Sequence, residues 1–168
     1  MDEINNDYYK IVKNIIENQE FIKRKTYRHH GDISVYEHSI SVSKKAYEIA
    51  RKINIQLGKQ IFNEVDVAIG GILHDFYYND YTKDKTKKPF FKQHGFVHAR
   101  EALDNSKKYF HSYLNKKIEN IILRHMFPLN IIPPKNKEAW LITIVDKYVS
   151  CEVFPYLLKK LVRSVVNE

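Results

Sequence analysis

The chain has one cysteine, Cys151, so no internal disulfide can brace the fold, and the thiol suits a reducing compartment. Glycine and proline number only five each in 168 residues, which leaves too few turn formers for a fold built from many short strands. No apolar run is long. Val67 to Leu73 is among the longest, whereas spanning a bilayer takes about 20 residues. The first residues carry polar and acidic groups (Asp2, Glu3, Asn5, Asn6, Asp7) where a secretory leader would be apolar. These absences lead us to expect a cytoplasmic protein with no membrane partner.

What is present suits an ordinary globular domain, with 43% hydrophobic and 29% charged residues. The length matches one domain, 1–168, with its own core at about 28–150, an N-terminal helix in 1–27 and a C-terminal helix in 154–168. The net charge of +8 attracts phosphorylated small molecules and polyanions alike. Lysines are dense only over Lys83–Lys92, where Tyr81, Phe90 and Phe91 interleave as they do in single-strand binders. We read this stretch as a solvated loop that aids solubility, so nucleic acid is not the expected partner. Association with further copies of the chain is left open.

Apolar periodicity predicts an all-α, compact, single-domain bundle of about six or seven helices. Residues 5–24 form the first, with Tyr8, Ile11, Val12, Ile15, Ile16 and Ile22 at helical spacing, and Lys23–His30 with Gly31 end it. Ser34 and Glu37 then make a capping box for a helix running to about Asn54. Its inward face reads Val35, His38, Val42, Ala46, Ile49 and Ile53. A third helix spans about Asn63 to Phe76, with Val65, Ile69, Ile72 and Leu73 apolar and Gly70–Gly71 suited to close packing. It closes on His74–Asp75. A charged loop, residues 77–93, leads to a fourth helix from His94 to about Lys108, in which His94 and His98 are four apart on one face. The fifth begins near Ser112 or Tyr113 and carries Ile118, Ile121, Ile122 and His125 on one stripe. The sixth, about Lys137 to Val153, sets Asp146 among Leu141, Ile142, Val145 and Val149, and a short basic helix covers Tyr156–Val166.

Each polar residue on these inner faces has a local explanation when taken alone. A buried histidine can be hydrogen-bonded, and a carboxylate can be paired. Together, His38, His74, Asp75, His94 or His98, His125 and Asp146 come from five successive helices, and one shared metal centre accounts for all of them. Imidazole and carboxylate donors without a thiolate suit Fe, Mn, Co, Zn or Mg.

The order of these residues resembles the HD superfamily of metal-dependent phosphohydrolases, whose two-metal branch runs H…HD…H…H…D. The resemblance rests on YEHSISVSKKAYEIA, GGILHDF, HGFVHA, ILRHMF and IVDKYV. It implies that His38, His74, Asp75 and Asp146 bind a first ion. Asp75 would bridge to a second, held also by His125 and one histidine of HGFVH. In similar proteins the third-segment ligand is followed four positions later by a small residue and then Ala. That frame favours His94, leaving His98 as its replacement or as a contact to substrate. The HDIGK sequence of many two-metal members is replaced here by HDFYYND, which turns the reading away from cyclic dinucleotides. The ligand order also resembles small bacterial HD enzymes that split dinucleoside polyphosphates.

The resemblance implies hydrolysis of a phosphate ester of a nucleotide or another small phosphorylated compound, with one or two divalent ions as cofactor and His74 and Asp75 at the catalytic centre. Arg28, His29, His30, His98, Arg124 and Lys147 are the expected substrate contacts, because cations flanking the ligand segments would balance phosphoryl charge. Tyr77, Tyr78 and Tyr81 are read as structural rather than as platforms for a base. Two alternatives stand beside this reading. One is the diiron oxygenase chemistry that some HD-type proteins perform on small organophosphonates or polyols. The other is a non-catalytic nucleotide-binding module.

Overall fold

The computed structural model describes residues 2–30, 33–78 and 94–150, with residues 2, 3, 28, 30 and 94–96 described by their backbone alone. Residues 79–93 of the expected loop 77–93 and the C-terminal helix 156–166 lie outside these residues, as does the end of the sixth expected helix. Within them the fold is an all-α bundle. The helices are α1 (Asp2–Ile16), α2 (Gln19–Ile22), α3 (Val35–Gln56), α4 (Glu64–Leu73), α5 (His94–Tyr109), α6 (Lys116–Arg124) and α7 (Lys137–Ser150).

The first expected helix is divided in two. Asn18 turns out of helical geometry and its side chain accepts from Glu20 N at 2.8 Å, which starts α2 as a separate element. A 3-10 turn, Lys23–Thr26, and a small antiparallel hairpin follow, with β1 at Arg28–His30 and β2 at Ile33–Ser34. At the head of α3, Glu37 N donates to Ser34 Oγ at 3.2 Å and Ser34 N donates to Glu37 Oε2 at 2.9 Å, completing the predicted capping box. That start fixes the rotation of α3 and points His38 inward.

Helix α4 is the centre of the bundle. Every residue from Asp66 to Leu73 is buried, against α1, α3, α6 and α7. Such proximity needs the glycine pair. A Cβ on Gly70 would meet Ile121 Cδ1 at 2.6 Å, and one on Gly71 would meet the Ser43 Cα at 2.7 Å. On one side Val12, Ile15, Phe21, Ile72, Phe76 and Ile118 form one apolar cluster. On the other, Val42, Ala46, Val67, Ile121, Ile142 and Val145 form a second. Val65, expected inside, is 46% exposed. Asp66 takes the inward place, where Asn115 Nδ2 donates to its Oδ1 at 2.7 Å.

Candidate metal centre

The HD dipeptide sits where α4 ends. His74 is the C-cap residue, and its Nδ1 lies 2.7 Å from the carbonyl oxygen of Gly71. A carbonyl only accepts, so Nδ1 carries the proton and, in the neutral ring, Nε2 holds a lone pair. His125 repeats this at the end of α6, with Nδ1 2.7 Å from Ile122 O. Both rings use carbonyls that a helix C-terminus leaves free. Both are thereby oriented as metal-binding imidazoles commonly are, by a hydrogen bond at the far nitrogen.

Asp75 is the hub. Its Oδ1 lies 3.4 Å from Nε2 of His98 and 3.4 Å from Nε2 of His125. Its Oδ2 faces the other way, 3.6 Å from His74 Nε2, 3.8 Å from His38 Nε2 and 3.3 Å from His29 Nε2. Asp146, in the last part of α7, sets Oδ1 at 3.1 Å from His38 Nε2 and 3.6 Å from His74 Nε2. Among the described residues the donor atoms form three groups able to hold a cation: His38, His74 and Asp146; Asp75, His98 and His125; and His29, His38 and Asp75.

The electrostatics are those of a buried cation site. Burial alone would neutralise Asp75, yet the surrounding histidines, His74 foremost, hold its carboxyl well below the usual range. Burial opposes ionisation of Asp146 likewise, and His38 and His74 outweigh it. For His38 burial wins and its pKa falls. For His74 burial is outweighed by Asp75 and Asp146, and its pKa rises to about 9. Within the cluster, the buried His74 Nε2 and Asp75 Oδ1 have no hydrogen-bond partner among the described residues. An ion in each half of the cluster would satisfy them. Two ligand atoms each about 2.1 Å from one cation lie roughly 3.0–3.4 Å apart at angles from a right angle to the tetrahedral one. The separations within each half of the cluster are close to that range, so the residues fit a metal. All donors are imidazole nitrogen or carboxylate oxygen, a set compatible with divalent metals such as Fe, Mn, Co, Zn or Mg.

Of the residues singled out in the sequence, His38, His74, Asp75, His98, His125 and Asp146 converge. Of the pair in HGFVH, His98 stands beside His125, with Nε2 atoms 2.9 Å apart, and the His94 side chain lies outside those described. His29, grouped with the substrate contacts, is inside the cluster. Lys147 Nζ donates to the His125 carbonyl at 2.9 Å, closing the C-terminal end of α6. Arg124 Nε is buried without a hydrogen-bond partner. The side chains of Arg28 and His30 and the residues Lys83–Lys92 lie outside those described. Sequence reasoning missed two supports. Ser150 Oγ donates to Asp146 Oδ1 at 3.2 Å, a contact its four-residue spacing could have suggested. The Tyr77 ring meets His98 edge-on at 5.7 Å between centroids.

None of the described helices is long and apolar enough to cross a membrane. Among curated proteins and among solved structures, none matches the chain significantly. The sequence profile of the HD domain matches residues 35–150, more than half of the chain, and that span contains His38, His74, Asp75, His98, His125 and Asp146 but not His29. The chain belongs to the HD-domain superfamily of metal-dependent hydrolases.

Proposed function

We propose that this protein is a metal-dependent phosphohydrolase that uses two divalent ions to cleave a phosphate ester of a nucleotide or another small phosphorylated compound. One observation carries the reading: the two oxygens of Asp75 face two different histidine sets, His29, His38 and His74 on one side and His98 and His125 on the other. A carboxylate placed this way is suited to bridge two ions. His38, His74, Asp75 and Asp146 would hold one of them, and Asp75, His98 and His125 the other. Ions bound there supply Lewis acidity, polarising a phosphoryl oxygen and making water ionise near neutral pH.

The chain's own residues do the rest. The Gly71 and Ile122 carbonyls keep the Nδ1 protons of His74 and His125, so neither ring can turn. Burial of the cluster excludes bulk water and lowers the local dielectric, which strengthens every charge interaction with a phosphoryl group. The net charge of +8 favours approach of an anionic substrate. Arg28, His30 and Arg124 are the candidates to neutralise its charge. Lys147 would do so only by releasing the His125 carbonyl.

The deciding experiment is metal analysis of the purified protein paired with a screen of nucleotides and phosphomonoesters in Mn, Fe, Co and Mg. Phosphate release that depends on metal and vanishes in Asp75→Ala supports the proposal. Oxygen consumption without phosphate release would replace it with oxygenase chemistry. Nucleotide binding without turnover would make the domain a binding module.

A further inference from the structure

We infer that His29 is a further protein ligand of the centre, brought by the β1–β2 hairpin to the ion that His38, His74 and Asp146 hold. This rests on the metal-dependent reading above. His29 lies outside residues 35–150, the span that matches the HD domain.

The ground is geometric. His29 Nε2 is 3.3 Å from Asp75 Oδ2, nearer than the Nε2 of His38 at 3.8 Å or of His74 at 3.6 Å. Its ring stacks on that of His38 with centroids 3.7 Å apart and planes 10° from parallel, so both Nε2 atoms address the same carboxylate oxygen. A separation of 3.3 Å is what two ligands about 2.1 Å from one ion would show.

The hairpin explains how a residue so early in the chain arrives there. Val35 N donates to Tyr27 O at 2.8 Å, tying the strand to the head of α3. Arg28 pairs with Ser34 and His30 with Ile33, and the register is irregular between Arg28 and His30, at His29. Such irregularities re-aim a side chain. The His29 side chain is also the most exposed of the cluster, at 13% against 5% for Asp75 and 2% for His38. It closes the solvent side of the site, so ion binding would fasten the hairpin to the core.

The test is titration of the full-length, metal-stripped protein with Mn2+ and with Co2+, by calorimetry and by the visible absorption of bound cobalt. In His29→Ala and His29→Gln, affinity for one of two ions should fall about 100-fold, affinity for the other should hold, and the cobalt bands should shift. His125→Ala should weaken the opposite ion. If both His29 variants bind two ions with unchanged affinity and unchanged bands, the inference is overturned and the metal-dependent reading stands. If the unsubstituted protein binds no ion, that reading fails first. Should the alanine variant lose its helical circular dichroism, the glutamine variant decides alone.

Discussion

The Nε2 atoms of His98 and His125 stand 2.9 Å apart, although His125 already commits its Nδ1 proton to the Ile122 carbonyl. With its proton on Nδ1, His125 can only accept at Nε2, so His98 donates from Nε2 when no metal is present. A cation shared with Asp75 Oδ1 would take the place of that proton. The contact makes His98, rather than His94, the expected ligand from HGFVH. His98→Ala should bind one ion fewer, or bind it about 100-fold more weakly. His94→Ala should keep both. Metal stoichiometry on the two purified variants checks this, and retention of both ions by His98→Ala would sink it.

Asp75 and Asp146 are both buried carboxylates among histidines, but their positions separate their roles. Among the described histidines, Asp146 Oδ1 meets His38 and His74, whereas Asp75 turns one oxygen to each set. Asp75→Ala should therefore weaken both ions and reduce turnover by at least about a thousandfold, the scale of losing a central electrostatic group. Asp146→Ala should weaken one ion and leave a measurable second event in a calorimetric titration. Equal loss of both ions in the two variants would contradict a bridging Asp75.

The metal and the proton compete at His74. Burial favours its neutral ring, and the carboxylates of Asp75 and Asp146 overcome this, raising the pKa from 6.5 to about 9. Nε2 must give up a proton before it can bind an ion, so loading at neutral pH should release protons into the buffer. Affinity should climb with pH and level off above about 9. The sign for stability follows from the same shift. The folded pKa lies above the unfolded one, so the protonated ring stabilises the metal-free protein fully below 6.5, and this is lost as pH rises through about 9. Thermal melts in chelator should show that decline and melts with bound Mn2+ should not, because the ion replaces the proton. A metal affinity that is flat from pH 6.5 to 9 would remove the argument.

The parts of this site that could be read from the sequence are those fixed by local chemistry. The Ser34–Glu37 capping box sets where α3 begins, and that rotation alone places His38 inward. His74–Asp75 is legible because an apolar helix ends on it. What depended on distant partners was not legible. Val65 and Asp66 compete for one inward position, and the carboxylate takes it because Asn115, far along the chain, is there to donate to it. By spacing, His94 and His98 are equivalent, and the contact of His98 with His125, 27 positions further along the chain, has no local signal. Arg24 reads as part of a basic break, yet it is buried, with its guanidinium 4.1 Å from the Phe76 ring centroid and 4.4 Å from that of Tyr78. A hairpin of three and two residues has no periodicity to detect, which is why His29 was grouped with substrate contacts.

The glycine pair in α4 carries the last prediction, because it couples the core to the position of the HD dipeptide. In an exposed helix, replacing Gly by Ala stabilises by about 1 kcal/mol through propensity. Here a Cβ at Gly71 would stand 2.7 Å from the Ser43 Cα and 3.0 Å from Ile142 Cδ1. The Ser43 contact is backbone and cannot rotate away, so α3 and α4 must separate. Overpacking of this kind costs about 1–3 kcal/mol. At Gly70 the obstacle is the Ile121 side chain, with Cδ1 at 2.6 Å and Cγ2 at 2.8 Å, and a change of rotamer can relieve part of it. Gly71→Ala should therefore be the more destabilising variant, lowering the melting temperature by roughly 2–4 °C per kcal/mol for a chain of this size. It should also weaken metal binding, since moving α4 away from α3 draws His74 and Asp75 away from His38. Urea unfolding of the two variants beside calorimetric metal titration tests both halves, and a Gly71→Ala protein as stable as its parent would show that the helices are not held as closely as the structure places them.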